Sequence, residues 1–309
     1  MSHPALPTLT LTDGPTVTRM GYGAMQLAGP HSVGEPHDHD EALAVLEEVV
    51  ASGITFIDTA DFYGPEIVNR LIREALYPYD GITIATKVGV TRRDDGSVSA
   101  SIAPDDLRRE VEDNLEHLGV DTLDLVYLRT GVPIATNDES IAEGFGALAE
   151  LQRQGVIRQL GLSGVSSAQL SEAQEIAPVV SISNLYNLAY RVFDDLAERC
   201  AQEGIAFAGW GPFGIPAETP FTSDSSVLAS VATRLDVSPQ QVALAWILKR
   251  TPTTVVIPGT STRTHLRDNI SAVELVLPDD AIAELDRVAA EAPVPRLAQY
   301  MAPPRVPAA

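Results

Sequence analysis

Three residues with acid–base chemistry follow one another along the chain and could form a proton donor. Asp58 and Tyr63 lie in the segment FIDTADFYG, and Lys87 lies in IATKVGV. A free phenol has a pKa of about 10 and donates poorly at neutral pH, but a nearby ammonium lowers such a pKa by stabilising the phenolate. A carboxylate beside the lysine would keep the ammonium charged and oriented. Each type alone is common as a helix cap or a packing residue, whereas the three together predict a general acid.

These residues lie at or just beyond the ends of short apolar segments that alternate with amphipathic helical segments. The predicted strands are 20–23, 54–58, 82–87, 123–128, 157–163, 179–184, 205–210 and 253–259. Unbroken apolar strands between helices indicate parallel strands covered on their outer face. Eight such units predict an α/β protein with a (β/α)8 TIM barrel, whose chemistry lies at the C-terminal strand ends. An open doubly wound sheet is the alternative, although no Gly-x-Gly-x-x-Gly follows the first strand.

The two ends of the chain carry weaker signals. The segment TLTLTDGPTVT predicts an N-terminal β-hairpin with an Asp-Gly turn, which we expect to plug the bottom of the barrel. From about residue 291 the sequence is rich in proline and predicts an irregular tail. Because no domain boundary is visible between them, residues 1–309 are expected to form a single domain.

Composition limits the partners of the protein. The net charge is −21, and so acidic a surface repels nucleic acids and anionic lipids. The sequence has no stretch of 18 apolar residues and no secretory signal. Its one cysteine, Cys200, excludes an intramolecular disulfide and a cysteine metal cluster. We therefore expect a cytoplasmic monomer that acts on a small molecule without a metal, a nucleic acid or a membrane.

Two groups of histidines have structural interpretations. His37 and His39 lie in the glycine- and proline-rich segment GPHSVGEPHDHDEAL, which does not have the spacing of a zinc site. We interpret this segment as a solvated loop and helix cap. His117 lies near a predicted helix end, where the helix dipole favours a histidine.

Several motifs resemble the aldo-keto reductase superfamily. They are GYGAMQLAG, FIDTADFYG, IATKVGV, DTLDLVYL, GLSGVS and VVIPGTSTRTHLRDN, and they follow in order from about residue 8 to residue 288. Within that superfamily the pattern is most similar to bacterial pyridoxal-reductase-like oxidoreductases, through GYGAMQLAGP, DFYGP, REALYPY and IPGTS.

The resemblance implies NADPH-dependent reduction of an aldehyde or ketone, with Tyr63 as the proton donor and Lys87 and Asp58 tuning it. It implies that Trp210 stacks on the nicotinamide, that Ser163 contacts the carboxamide, and that Arg263, Arg267 or His265 supplies a cation for the 2′-phosphate. The full set of expected residues around NADPH or NADP+ is Gly23, Ala24, Met25, Asp58, Ser163, Gly164, Ser183, Trp210, Gly211, Pro212, Phe213, Gly259, Thr260, Ser261, Thr262, Arg263, His265 and Asn269.

The chain departs from the family at several of these positions. Arg129 stands where the family has its catalytic histidine, and arginine cannot donate a proton near neutral pH, although it can polarise a carbonyl oxygen or bind an anion. The usual Ser-Asn pair is Ser163-Gly164, the usual glutamine is Ser183, and Gly259 stands where many relatives have a lysine. Part of the usual carboxamide-binding set is therefore shortened or missing.

These departures leave three functions open. The first is NADPH-dependent reduction of a carbonyl compound, with Arg129 favouring a pyridoxal-like or other anionic or aromatic substrate. The second is non-redox cyclisation, dehydration or isomerisation in a cofactor-binding barrel. The third is a nucleotide-sensing or scaffold module with little turnover. Substrate-dependent oxidation of NADPH distinguishes the first from the other two.

Overall fold

Alternating strands and helices form a closed barrel of parallel strands. The computed structural model describes residues 5–92, 98–130, 138–214 and 226–291, with side chains described as far as residue 287. The eight barrel strands are β3 (Tyr22–Gly23), β4 (Phe56–Asp58), β5 (Thr83–Val88), β8 (Leu123–Arg129), β9 (Ile157–Ser163), β10 (Ser181–Leu185), β11 (Ala206–Trp210) and β12 (Thr254–Val256). Each of the eight predicted strand segments overlaps one of them, although Val88, Arg129 and Leu185 extend three of the strands one residue beyond the predicted bounds. The predicted (β/α)8 barrel is confirmed.

The barrel closes where the first and last strands meet. The backbone N–H of Gly21 donates to the carbonyl of Val256 at 2.8 Å, and the N–H of Val256 donates to the carbonyl of Arg19 at 2.9 Å. A further parallel bridge joins Gly23 to Gly259. All neighbouring barrel strands pair in parallel, so their C-terminal ends lie at one rim.

Helices cover the outside of the barrel. They are α1 (His39–Ala51), α2 (Ile67–Leu76), α3 (Pro104–Leu118), α4 (Ala142–Arg153), α5 (Ser167–Gln174), α6 (Asp194–Glu203), α7 (Ser226–Leu235), α8 (Pro239–Arg250), α9 (Arg263–Ser271) and α10 (Asp279–Glu291). Sequence signals fix several of their ends: Asp38 caps α1 by accepting the N–H of Glu41, and Pro104 begins α3. The predicted cap in the histidine-rich segment is thus confirmed.

The N-terminal hairpin plugs the lower end of the barrel, as predicted. It consists of β1 (Thr8–Thr10) and β2 (Thr16–Thr18), which pair antiparallel. Leu11 and Val17 from this hairpin are fully buried and belong to the same cluster as the barrel residues Phe56, Leu125 and Tyr127. Apolar side chains therefore fill the lower part of the barrel interior.

A second hairpin, absent from the sequence predictions, follows β5 on the upper rim. It consists of β6 (Val90–Arg92) and β7 (Val98–Ala100). Segments 93–97, 131–137 and 215–225 lie outside the described residues, as does the predicted irregular tail, residues 292–309.

Candidate active site

The upper end of the barrel interior is polar because each strand alternates the face of its side chains. Residues two positions apart face the same side of a strand, so Asp58 lies above Phe56, and Arg129 lies above Tyr127. The hydroxyl of Tyr127, at 2.8 Å from Ser181 Oγ, closes the apolar layer beneath. The predicted catalytic residues therefore share one rim.

Lys87 joins two of these residues directly. Its Nζ donates to Asp58 Oδ1 at 2.5 Å, to the carbonyl of Thr59 at 2.9 Å and to the hydroxyl of Tyr63 at 3.3 Å. These three acceptors use all three ammonium hydrogens. Asp58, Lys87 and Tyr63 are each at most 7% exposed, so the predicted triad is assembled in a site shielded from water.

Burial and the ion pair together set the protonation of the triad. Burial alone would lower the pKa of Lys87, but the neighbouring Asp58 carboxylate and Tyr63 outweigh it, so the pKa of Lys87 is raised. Burial raises the pKa of Asp58, and the ammonium of Lys87 offsets this only in part. Lys87 consequently remains an ammonium at neutral pH and stabilises negative charge on the Tyr63 oxygen.

A buried hydrogen-bond network holds the loop that carries Tyr63. Thr59 donates to Asn69 Oδ1 at 2.8 Å, and Asn69 Nδ2 donates to Asn114 Oδ1 at 3.0 Å. Thr86, beside Lys87, also donates to Asn114 Oδ1, at 2.5 Å. Asn114 thus ties the strand ends of Asp58 and Lys87 to helices α2 and α3.

This network was missed from the sequence, although a signal was present. Leu107, Val111, Asn114 and Leu118 follow the apolar spacing of α3. An asparagine at such a position, fully buried in the structure, indicates a buried polar contact. Asn69 interrupts the apolar face of α2 in the same way.

His117 fastens both ends of the same loop. Its Nδ1 lies 2.7 Å from Asp61 Oδ1, and its Nε2 lies 3.0 Å from Glu66 Oε2. The sequence predicted a structural role for this histidine through the helix dipole. The structure shows that His117 contacts two carboxylates. Asp61 also accepts from Asn69 at 3.1 Å, and it forms no ion pair with Arg129 in the described part of the chain.

Arg129 stands at the end of β8 with its guanidinium 5.5 Å from the centre of the Phe62 ring. Arg92 of β6 approaches the same ring at 4.5 Å. Burial lowers the pKa of Arg129, and the charges of Tyr63 and Asp58 act against this shift. Arg129 forms no side-chain hydrogen bond or salt bridge with another described residue, and its charge lies near those of Tyr63 and Asp58.

Ser163 and Ser183 continue the row that begins at Arg129. Arg129 is the register partner of Ser163, and Ser163 is the register partner of Ser183, so the three side chains lie on adjacent strands at one level. Ser183 is fully buried, and its Oγ has no hydrogen-bond partner among the described residues. Asp58 Oδ2 is likewise buried and without a partner in the described chain.

Asn184 binds the backbone of the turn at Gly164. Gly164, with a φ of 70°, donates its N–H to Asn184 Oδ1 at 2.9 Å, and Asn184 Nδ2 donates to the carbonyl of Val165 at 2.9 Å. Asn184 therefore fixes the turn after Ser163, a role that the sequence did not reveal.

Trp210 ends β11 and is partly exposed at the rim, where a flat ligand could stack on it. The predicted residues Gly211, Pro212 and Phe213 follow it directly. On β3, which is separated from β11 by β12 alone, Gly23 precedes the short 3-10 turn Ala24–Leu27, which contains Ala24 and Met25. The barrel thus brings these predicted cofactor residues around one opening.

Gly259 allows the close contact between the first and last strands of this chain. A Cβ atom there would lie 2.9 Å from the carbonyl oxygen of Gly23, and one at Gly23 would lie 2.6 Å from the carbonyl of Ile257. Real Cβ atoms do not approach a backbone oxygen so closely. The absence of a Cβ at both positions therefore lets the first and last strands lie in contact.

The segment after β12 forms the N-terminus of α9. Thr262 caps this helix by accepting the N–H of His265 at 3.4 Å. Ser261, Arg263 and His265 are exposed, whereas Thr260 and Asn269 are buried. Backbone N–H groups and a cation at a helix start suit a phosphate, and the unpartnered Ser183 Oγ suits a carboxamide. The residues present therefore fit a nicotinamide dinucleotide.

The described ranges contain no group of three or more His, Cys, Asp or Glu side chains arranged to hold a metal ion. No helix in them has the length and apolar character needed to cross a membrane.

Known proteins resemble the chain over most of its length. Pyridoxine 4-dehydrogenase of Escherichia coli (strain K12) is 45% identical over 279 residues, which are 89% of this chain and 96% of that protein. A crystal structure of a thermostable aldo-keto reductase in complex with the inhibitor epalrestat is 26% identical, with a TM-score of 0.76 over 93% of this chain and 100% of that one.

A third resemblance concerns the fold alone. An aldo-keto reductase from Klebsiella pneumoniae, crystallised in complex with NADPH, is 22% identical, with a TM-score of 0.75 over 93% of this chain and 96% of that one. The sequence pattern of the aldo/keto reductase family matches residues 19–290. With this match across most of the chain, the protein belongs to the aldo/keto reductase family.

Proposed function

We propose that this enzyme reduces an aromatic aldehyde that carries an oxyanion, a compound of the pyridoxal type. Membership of its family makes it an NADPH-dependent oxidoreductase that acts on carbonyl groups. The observation that carries the finer proposal is Arg129, a cation at the site that forms no ion pair in the described ranges. The relative named pyridoxine 4-dehydrogenase supports the same substrate class.

The site has separate regions for the cofactor and the proton donor. When bound, NADPH supplies a hydride to the carbonyl carbon. Trp210 would stack on the nicotinamide, Ser163 and Ser183 would meet its carboxamide, and the start of α9 with Arg263 would hold phosphate. The triad of Asp58, Tyr63 and Lys87 stands on the other side of the opening.

Tyr63 donates its hydroxyl proton to the carbonyl oxygen as the hydride arrives at the carbon, which yields an alcohol. The ammonium of Lys87, 3.3 Å from the Tyr63 oxygen, stabilises the phenolate that remains. Asp58, 2.5 Å from the same ammonium, holds Lys87 in place. Loss of water from this buried site strengthens each of these interactions.

Arg129 replaces the family histidine by a group that binds rather than donates. A guanidinium remains charged at all working pH values and offers donors in a fixed plane. With Arg92 on the same Phe62 ring, it makes the rim cationic in a protein of net charge −21. A substrate oxyanion beside the aldehyde would accept from Arg129 and bring the carbonyl oxygen to Tyr63.

Initial rates of NADPH oxidation test this function. Pyridoxal should be reduced with a kcat/KM at least about tenfold above that of an uncharged aromatic aldehyde of similar size, as expected for one charge-assisted hydrogen bond. Benzaldehyde is a suitable reference substrate. Equal kcat/KM values for both aldehydes would contradict the proposed role of Arg129. Conversion of pyridoxal without oxidation of NADPH would contradict the reductase function.

We further propose that the whole chain acts as one domain, as a monomer in the cytoplasm. Its one cysteine is buried in α6, which suits a compartment where disulfides are not needed. Light scattering coupled to size-exclusion chromatography should give the mass of one chain, 33.0 kDa, and cell fractionation should recover the protein with the cytosol. A dimer mass or a periplasmic location would contradict this.

A further inference from the structure

The helix expected to bind phosphate already holds a carboxylate from the same chain. Glu41 lies in the first turn of α1, and its Oε1 accepts the backbone N–H of Arg263 at 3.1 Å. Its Oε2 accepts from Nε of Arg263 at 3.1 Å and lies 2.9 Å from the Nη2 nitrogen. One carboxylate therefore engages both the guanidinium and the first amide of α9.

These are the contacts that a phosphate group would seek. The first N–H groups of a helix have no partner within the helix and carry partial positive charge, which is why such ends bind anions. Hydrogen bonds from Arg263 lower the pKa of Glu41, so Glu41 is anionic whenever the enzyme works. An anionic ligand can reach Arg263 only in competition with this carboxylate.

A second ion pair between the same helices lacks this feature. Arg267 donates to Glu48 from Nε at 2.5 Å and from Nη2 at 2.8 Å. Arg267 lies one turn further along α9, where the backbone N–H groups are already paired within the helix. The pair Glu48–Arg267 thus joins α1 to α9 without contacting the helix start, and it provides a matched control.

We propose that Glu41 is an internal competitor of the 2′-phosphate of NADPH and thereby sets the preference of this enzyme between NADPH and NADH. The inference rests on the proposed function, since it requires that α9 bind the adenosine end of the cofactor. NADPH must displace Glu41 from Arg263 before its 2′-phosphate can bind there. NADH carries a hydroxyl at that position, which leaves the pair intact or donates to the Glu41 carboxylate.

Dissociation constants measured by calorimetry test this without relying on turnover. In Glu41→Gln the side chain still accepts the Arg263 N–H but has no charge, so NADPH should bind about tenfold more tightly, as expected for removal of a like charge beside a phosphate. The affinity for NADH should stay within about twofold or fall. Glu48→Gln should leave the ratio of the two constants unchanged.

The variant Arg263→Met tests whether the effect of Glu41 on NADPH affinity acts through the Arg263 guanidinium. In that background the Glu41→Gln change should improve NADPH binding by a clearly smaller factor than in the wild type, because the guanidinium for which the two anions compete is absent and only the backbone N–H of residue 263 is still shared. Equal effects of Glu41→Gln on both cofactors, or an equal shift of the ratio in Glu48→Gln, would overturn the inference while leaving the reductase function intact. Failure of every variant and of the wild type to bind either nucleotide would overturn both.

Discussion

The proposed chemistry of Tyr63 depends on the burial of Lys87 and Asp58. Lys87 is 7% exposed and Asp58 is 3% exposed, so their ion pair acts in a medium of lower dielectric than water. The ammonium has no free hydrogen after it contacts Asp58, Thr59 and Tyr63. Its charge is therefore fixed relative to the Tyr63 oxygen, the proposed source of the proton.

Replacing Tyr63 by Phe tests its assignment as the proton donor. The change removes one oxygen and keeps the ring beside Phe62, so kcat should fall by about 10² or more. The affinity for NADPH should remain within about twofold of the wild type, because the hydroxyl is not needed to hold the cofactor. Calorimetry and initial rates measure the two quantities, and wild-type turnover in Tyr63→Phe would show that the proton comes from another group.

Arg129 should determine which aldehydes are good substrates. In Arg129→Met the side chain keeps its length but loses its charge, and kcat/KM for pyridoxal should fall about 10- to 100-fold. Reduction of benzaldehyde should change by less than about threefold. Arg129→His, which restores the family pattern, should shift the preference towards neutral aldehydes.

The contrary interpretation of Arg129 is that its charge only supports the local structure. In that case Arg129→Met would lower the melting temperature and reduce the rates with both aldehydes by the same factor. Measuring both substrates on each variant separates a loss of folded enzyme from a loss of substrate recognition.

The sequence predicted the residues of the site better than it predicted their supports. Asp58, Tyr63, Lys87 and Arg129 could be placed at one rim because strand ends follow from apolar periodicity. The roles of Asn114 and Asn184 could not be predicted, because a buried amide is recognised by partners that are distant in sequence. Glu41 and Arg263 are separated by 222 positions, and the periodicity of a single helix does not indicate such a pair.

At the scale of elements, the barrel strands were predictable and the upper hairpin was not. The barrel strands contain contiguous apolar residues, whereas β6 and β7 have three residues each and include Thr91, Arg92 and Ser99. Short polar strands give no periodicity to detect. Nevertheless β6 brings Arg92 to Phe62, so an element without a sequence signal contributes charge to the site.

Helices α2 and α3 hold the loop of Tyr63 through Asn114, and Asn114→Ala should weaken both stability and catalysis. The change removes the acceptor of the Thr86 hydroxyl and one of the two acceptors of Asn69 Nδ2, which should cost about 2 to 4 kcal/mol of unfolding free energy. Because the loop of Tyr63 loses its support, kcat should fall severalfold while the affinity for NADPH stays nearly constant.

Leu148→Ala in α4 is the matched control for this prediction. Leu148 is fully buried, and its truncation should lower the unfolding free energy by about 2 to 5 kcal/mol. It has no part in the hydrogen-bond network around Asn114. If the two variants lose stability equally and kcat falls equally in both at a temperature where both are folded, the positioning role of Asn114 is wrong.

At the scale of the whole molecule, one buried carboxyl should make stability depend on pH. Glu110 of α3 is 7% exposed, and its Oε2 accepts the N–H of Gly89 at 2.7 Å. Burial raises the pKa of Glu110 to about 7 from a usual value of 4.5. The folded protein thus holds the proton more tightly than the unfolded chain does.

The sign of this effect follows from linkage. A carboxyl whose pKa is raised by folding contributes its stability in full below its unfolded pKa, and that contribution is lost as the pH rises through the folded pKa. Glu110 alone should therefore lower the unfolding free energy between about pH 4.5 and about pH 7, by about 3 kcal/mol in total. Other carboxyls add their own slopes, so the comparison has to be made against a variant.

Glu110→Gln isolates this contribution because the amide oxygen still accepts the Gly89 N–H and cannot ionise. Chemical denaturation across pH 5 to 8 should show a smaller decrease in stability with rising pH in the variant than in the wild type. The variant should be the more stable protein at about pH 8, where the wild-type carboxylate is buried without a cation in contact among the described residues. Parallel pH profiles for the two proteins would show that Glu110 ionises at the same pH in the folded and unfolded chains.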